Sequence, residues 1–453
     1  MDAVVERCAG LDVHRDNVVA TVRFPAEDGR RFKLSTRTFR ATIAGLTELR
    51  EWLAGFAVTL VGMEATGVYW KPVFQALEDR FECWLLNAQH LRNVPGRKTD
   101  VKDSEWICQL VAHGLVRPSF VPPPEIRRLR DLTRFRKAQI NERTRAIQRI
   151  EKVLQDAGIK LTSVASGAWS KSARAMLEAL LSGVSEPERL AKLAKGRMRA
   201  KIPQLREALE SRFKVDHHGI MVAQLIAHID TLDHAILLLD EKIEQLLAPH
   251  AKVVELLCTI PGVALRTAQV LIAECGLDMS RFRTAGHLAS WAGICPGHNE
   301  SAGRRRSGRT RPGPKWLTDA LTESAKAAAR TKGTYFAAHF AQLRGRRGEP
   351  KAIGATRHDI LIAYYYIVRD EVPFRELGPE WLRRRYSPEP GASSNNSKRL
   401  ATRSRSSRPT PTKRLPPPPD PTHNRRRSTD TAPAVPTPPA QTRSQPGGFT
   451  HQQ

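Results

Sequence analysis

The chain has 453 residues, a formal net charge of +27 and a pI near 10.4, which is room for two or three domains with their own cores and far more positive charge than solubility demands. Nucleic acid fits that excess better than a membrane surface, because no uninterrupted apolar stretch reaches the roughly 18 residues of a spanning helix and the first residues lack a signal peptide's basic start and long apolar core. Six scattered cysteines without a Cys-x-x-Cys pair point to reduced, mostly buried thiols rather than disulfides or zinc ligands.

From Val4 to Leu115 strand-like and helix-like patterns alternate, which predicts a mixed α/β domain. Ala9-Gly-Leu-Asp-Val-His14 leads into Asp16–Phe24, read as a second strand pairing with the first. Thr42–Phe56 predicts an amphipathic helix, Val58–Met63 a buried strand, Tyr69–Asp79 a helix and Cys83–Leu86 a short strand. Asp12 and Glu64 fall at strand ends, where an α/β sheet gathers its ligand. Next comes Lys98-Thr-Asp-Val-Lys-Asp-Ser-Glu105, a run without Gly or Pro in which Asp100 and Asp103 would share one helix face.

Any one of these acids alone reads as a solvated face or a cap. Four carboxylates from three distant segments suit Mg²⁺, or Mn²⁺ in its place, because a hard cation takes oxygen ligands and keeps positions for water and phosphate. Strand Asp, strand Glu, then helix Asp-x-x-Asp resembles the RuvC-like, DEDD-type branch of the RNase H-like nucleases. Lys98 and Lys102 flank the pair, to hold phosphate or to offset its charge. Pro118 and Pro122-Pro-Pro124 end the domain.

Glu125–Ala157 predicts a long, very basic helix. Ile140, Ile147 and Leu154 are heptad-spaced, with Arg143 intruding at one seam position. Val222, Leu225, Ile229, Leu232, Ile236, Leu239, Ile243 and Leu246 make a cleaner seam, which seeks either the 125–157 helix or a second chain. Between them, 160–214 reads as a small helical insert. His217-His218 has no third ligand nearby in sequence and reads as surface or core.

Residues 255–276 read as helix, Pro261-Gly262 turn, helix, a hairpin able to offer its turn amides to a phosphate. After Phe282–Ala292 the character changes. His298 to Lys315 concentrates Arg304, Arg305, Arg306, Arg309, Arg311 and Lys315 among small residues, a loop suited to wrapping a phosphate backbone. Ser301 and Ser307 lie within it, and on composition alone both are ordinary loop hydroxyls. Trp316–Arg330, Thr334–Arg344 and Lys351–Arg369 predict helices, the last holding Tyr364, Tyr365 and Tyr366 as core and interface, with base stacking as the lesser alternative. Residues 387–453 carry eleven Lys or Arg against three acids and almost no aromatic side chains, which predicts a disordered basic tail.

The DEDD pattern, the basic helical linker, Ile260-Pro-Gly-Val263 and Ala292-Gly-Ile-Cys-Pro-Gly-His-Asn-Glu-Ser-Ala-Gly303 together closely resemble the bacterial insertion-sequence family one-ten transposases, over about residues 5 to 370. The resemblance implies an RNase H-like (RuvC-like) domain over 1–122, a helical coiled-coil linker over 123–250, a mainly helical transposase domain over 251–386 and the tail over 387–453. It assigns metal binding to Asp12, Glu64, Asp100 and Asp103 and the nucleophile to Ser301, with Ser307 as the alternative if the arginine-rich loop is displaced in register. It further implies donor and target DNA, an element-encoded guide RNA, a dimer or tetramer, and a cytoplasmic, nucleoid-associated place in a bacterium. The competing readings are a Holliday-junction-resolvase-like endonuclease that uses water, and a nucleic-acid-binding protein without catalysis.

Overall fold

Alternation of branched apolar residues with small or polar ones makes Cys8–Val13 (β1) and Asn17–Pro25 (β2) an antiparallel pair, and Phe32–Arg40 (β3) adds to the far edge of β2. Leu60–Glu64 (β4) and Glu82–Leu86 (β5) join in parallel on the other side of β1, giving the order β3-β2-β1-β4-β5. The computed structural model describes residues 4–27, 31–65, 67–88, 91, 103–165, 167, 169–297, 299–301 and 303–381. The basic tail therefore lies outside the described residues.

β3 is absent from the sequence reading. Most of its residues are exposed or half-buried, so an edge strand gives little apolar periodicity to read.

The pleat sends alternate residues to two cores. Leu11, Val13, Val61 and Met63 pack with Ile43–Gly55 (α1) and Trp70–Leu77 (α2). Cys8, Leu60 and Leu86 pack with Asp103–Ala112 (α3) on the opposite face. Each fully buried Leu, Val or Met there is worth roughly 1.5–3 kcal/mol.

Pro124–Asp156 (α4) then runs 33 residues. Leu161–Val164 (α5), Lys171–Leu181 (α6), Pro187–Ala191 (α7) and Ile202–Leu209 (α8) make the insert, and Ile220–Leu247 (α9) returns along α4. Arg136 Nη1 to Asp240 at 2.6 Å, the Arg143–Asp233 pair and His218 to Asp156 at 3.2 Å fix the two helices antiparallel. Val222, Ile229, Leu232, Ile236 and Ile243 of the expected seam are buried, so the chain itself satisfies much of the seam. The helical run Val215–Cys258 contains an 18-residue window apolar enough on average to cross a bilayer by length and composition alone, although polar and charged residues interrupt it. One side of it packs on α4, while His228, Asp230, Asp233 and Glu241 are exposed.

Ala251–Cys258 (α10), Leu265–Cys275 (α11), Ala285–Trp291 (α12), Lys315–Ala328 (α13), Tyr335–Arg347 (α14) and Glu349–Asp370 (α15) enclose the C-terminal core. Ile126 and Leu129 of α4 and Ile243 and Leu247 of α9 are part of that core, so the linker hairpin roots in it. Tyr364 and Tyr365 are buried and donate to the Gly276 and Phe282 carbonyls at 2.6 and 3.0 Å, whereas Tyr366 is exposed.

The first turns of α4 rivet the sheet domain to the C-terminal core. Lys71 of α2 reaches Asp131 at 3.2 Å and Arg127 pairs with Glu78, while Arg134 binds the buried Glu274 of α11 through two bonds of 2.7 and 2.8 Å.

Candidate active site

The parallel register pairs Leu11 with Met63, and one further step sets Asp12 beside Glu64 at the carboxyl ends of β1 and β4. By the period of two, Asp12 shares its face with Gly10, and Glu64 shares its face with Gly62. Both glycines have a structural reason. A Cβ on Gly10 would stand 2.2 Å from the Ser104 carbonyl oxygen and 2.3 Å from the Cys108 nitrogen, and one on Gly62 would stand 2.5 Å from Val111 Cγ2. Helix α3 thus presses flat on this face. Ser104 lies over Gly10 and Cys108 beside Cys8, with sulfurs 3.9 Å apart, so α3 runs opposite to β1. Its first described residue, Asp103, therefore lies toward the carboxyl-end side of β1, with the positive end of the helix dipole favouring an acid there.

A chain of hydroxyls fixes that first turn. Thr21 Oγ1 lies 2.9 Å from both Ser104 Oγ and Thr36 Oγ1, and Thr36 donates to Glu105 at 3.5 Å. Asp12, about one-fifth exposed, pairs with His14 Nε2 at 3.0 Å. Sequence reasoning missed His14, although its place two residues beyond Asp12 was the available signal. The Cys8–Cys108 pair is fully buried; their mutual hydrogen bond pushes the Cys108 thiol up, with burial adding to it, and pulls the Cys8 thiol down.

Asp12, Glu64 and Asp103 are carboxylates, the ligand type a divalent hard cation takes, but their ligand atoms do not all lie within 4.8 Å of one another. Asp100, Lys98 and Lys102 lie outside the described residues.

A second cluster brings the ligand atoms of Asp156, His217 and His218 within 4.8 Å of one another, supplying the third group that the sequence lacked. Its chemistry suits a metal poorly. His218 Nδ1 accepts from the Lys214 amide at 3.1 Å, which leaves the proton on Nε2, donated to Asp156 at 3.2 Å. Both ring nitrogens are then occupied, and His218 clasps the far ends of α4 and α9 together.

The arginine-rich loop is in part a β-hairpin. Asn299–Ser301 (β6) pairs with Arg304–Ser307 (β7), with Ser301 opposite Arg304 and Gly303 turning at φ +73°. Glycines also strap its exit strand down. A Cβ on Gly313 would stand 1.9 Å from the Ala292 carbonyl oxygen, and one on Gly297 would stand 2.6 Å from that of Arg309. Arg311 reaches back to Ser290 Oγ at 2.9 Å. Arg304, Arg309, Arg311 and Lys315 are exposed; for Arg305 and Arg306 only the strand position in β7 is described. Among the described elements, the hairpin shares no substantial packing with any strand of the five-stranded sheet.

Gly262 has a packing role. Its φ is +86°, and a Cβ there would stand 2.4 Å from the Ser324 carbonyl oxygen, so the turn is pressed against α13.

Two family models match the chain. One, a DEDD transposase model of the IS110 type, covers residues 9–159, from β1 through α4. The other, described as a transposase of the IS116/IS110/IS902 family, covers residues 254–341 and so includes the hairpin. No curated protein matches the chain.

Proposed function

Because the chain belongs to the IS110 family of transposases, we propose that it recombines the DNA of an insertion sequence by serine-mediated strand transfer, with the N-terminal domain acting as a RuvC-like DEDD half-site. What supports this reading is that Asp12 and Glu64 lie toward the carboxyl ends of neighbouring parallel strands and that α3, whose described residues start at Asp103, packs on the face they share and runs opposite to β1. Asp100 is expected to complete the set. A divalent cation held there, Mg²⁺ with Mn²⁺ as substitute, would supply Lewis-acid polarisation of the scissile phosphate.

The chain's own groups do the rest. The Ser301 hydroxyl attacks phosphorus, one serine–phosphate bond forms, one phosphorus–deoxyribose bond breaks, and the proton passes to the departing deoxyribose oxygen. A hydroxyl of the incoming strand reverses the step, so the number of phosphodiester bonds is unchanged. The positive charge of Arg304, Arg305, Arg306, Arg309, Arg311 and Lys315, close to Ser301 in sequence, is proposed to stabilise charge on the transferring phosphate.

The separation of hairpin and sheet within one chain supports a composite site in which one protomer lends Ser301 to the acids of another. The element's own RNA is proposed to select the DNA partners. The same separation also favours a second reading, a junction nuclease in which the acids activate water and the hairpin only grips DNA.

Denaturing gels decide between them. Full-length protein with the element's RNA, Mg²⁺ and labelled junction DNA is expected to give a protein–DNA adduct that is lost in both Ser301→Ala and Asp12→Ala. Free cleaved ends without an adduct, still made by Ser301→Ala, would establish the hydrolytic reading.

A further inference from the structure

Beside the arginine hairpin lies a groove of about 1140 Å³, walled by Ile294 and Pro296, by Gly308–Thr310 beyond β7, and by facing parts of α14 and α15. Arg309, Arg346, Arg347 and Lys351 stand exposed along it. Asp359, the carboxylate of this lining, is already engaged: His339 Nδ1 lies 2.8 Å from one oxygen and His358 Nδ1 3.8 Å from the other. The groove is therefore basic, and the DEDD acids play no part in it.

Arg357 is the unusual group. It is half-buried, and Nη1 donates to Thr322 Oγ1 at 3.3 Å. Its Nε is buried without a hydrogen-bond partner, and no carboxylate pairs with it among the described residues. Burial pulls its guanidinium below the usual value, with no charged neighbour offsetting the effect. A desolvated cation lacking a counter-ion costs folding stability, and an incoming anion restores what burial removed. Surface basic residues of an ordinary solvated face carry no such cost. The Arg357 side chain lines the groove, and guanidinium is the side-chain cation best matched to a phosphate.

We propose that Arg357 anchors one phosphate of the DNA strand leaving the Ser301 hairpin, while Arg346, Arg347 and Lys351 hold the phosphates that follow along the groove. That the strand is DNA rests on the transposase reading above, since residues 308–310 continue directly from the hairpin into the groove wall. That the groove takes phosphates rests on its own charge and burial.

The test measures affinity of the full-length protein for labelled DNA, and for RNA of the same sequence, between about 50 and 200 mM salt. Arg357→Met keeps length and packing while removing the charge. It is expected to make the DNA log–log salt slope shallower by about one and to weaken binding roughly tenfold, with a melting temperature equal to or above wild type. Arg346→Ala/Lys351→Ala, on exposed side chains, is expected to remove about two from the slope. An unchanged DNA slope in Arg357→Met overturns the proposal whatever happens to the melting temperature, and so does a slope reduced for RNA alone. Adduct formation in the wild type separates the two claims. An intact adduct with an unchanged slope removes the groove and leaves the transposase chemistry; a shallower slope without any adduct does the reverse.

Discussion

In the acid corner, glycine deletes side chains so that a helix can press onto a sheet; in the arginine hairpin, it lets one backbone cross another and turn back. Gly10 meets Ser104 and Cys108, about a hundred residues away, so the positions of Asp12, Glu64 and Asp103 are properties of the whole domain. Gly297 and Gly313 meet Arg309 and Ala292, neighbours within the same local segment. In the proposed function the acids would hold a small ion to a fixed geometry, which demands rigid long-range support. The hairpin would follow a phosphate backbone, and local strapping would let it do so without unfolding the core.

The largest effect expected from this difference comes from Gly10→Ala. The new Cβ meets backbone atoms at 2.2 and 2.3 Å, so α3 must lift, at a cost of about 3 kcal/mol in denaturant unfolding. Gly303→Ala places a residue at φ +73° with nothing within 4 Å and should cost only about 1–2 kcal/mol. Equal costs would show the corner to be no more rigid than the hairpin.

His14→Ala probes how Asp12 is oriented. The expected outcome is a loss of strand cutting of about 10-fold with an unchanged unfolding midpoint, the scale set by outer partners of metal ligands. A loss as complete as that of Asp12→Ala would place His14 in the chemistry itself.

The smallest effect concerns the helices that brace the hairpin's groove. Burial alone would raise the Asp359 carboxyl, but the hydrogen bond with His339, together with His358 at 3.8 Å, outweighs it and holds the group below the usual carboxylate range. Its contribution is therefore present above the unfolded value of about 4 and is lost as pH falls through the lower folded value. Asp359→Asn should lower stability at neutral pH by about 1 kcal/mol and flatten the acid limb of melting temperature against pH. An unaltered acid limb would mean that the cluster contributes nothing.

Much of the architecture was legible because its signals are local. The strands around Asp12 and Glu64, the long helices over 125–157 and 220–247, and the helix–turn–helix at 255–276 all announce themselves by periodicity or by Pro and Gly at fixed offsets. β3 and the β6–β7 hairpin did not: an exposed edge strand and an arginine-rich strand pair lack an apolar face to repeat. Even so, the sequence by itself determined the acids, the serine and the excess of positive charge, since these are choices of residue type. Only the tertiary structure decided that Gly10 and Gly62 seat α3 flat against the sheet and opposite to β1, that α9 spends much of its apolar seam on α4, and that Arg357 is half-buried beside the hairpin's groove with no counter-ion among the described residues. Such outcomes depend on which distant surfaces exclude water together, and no local pattern encodes that.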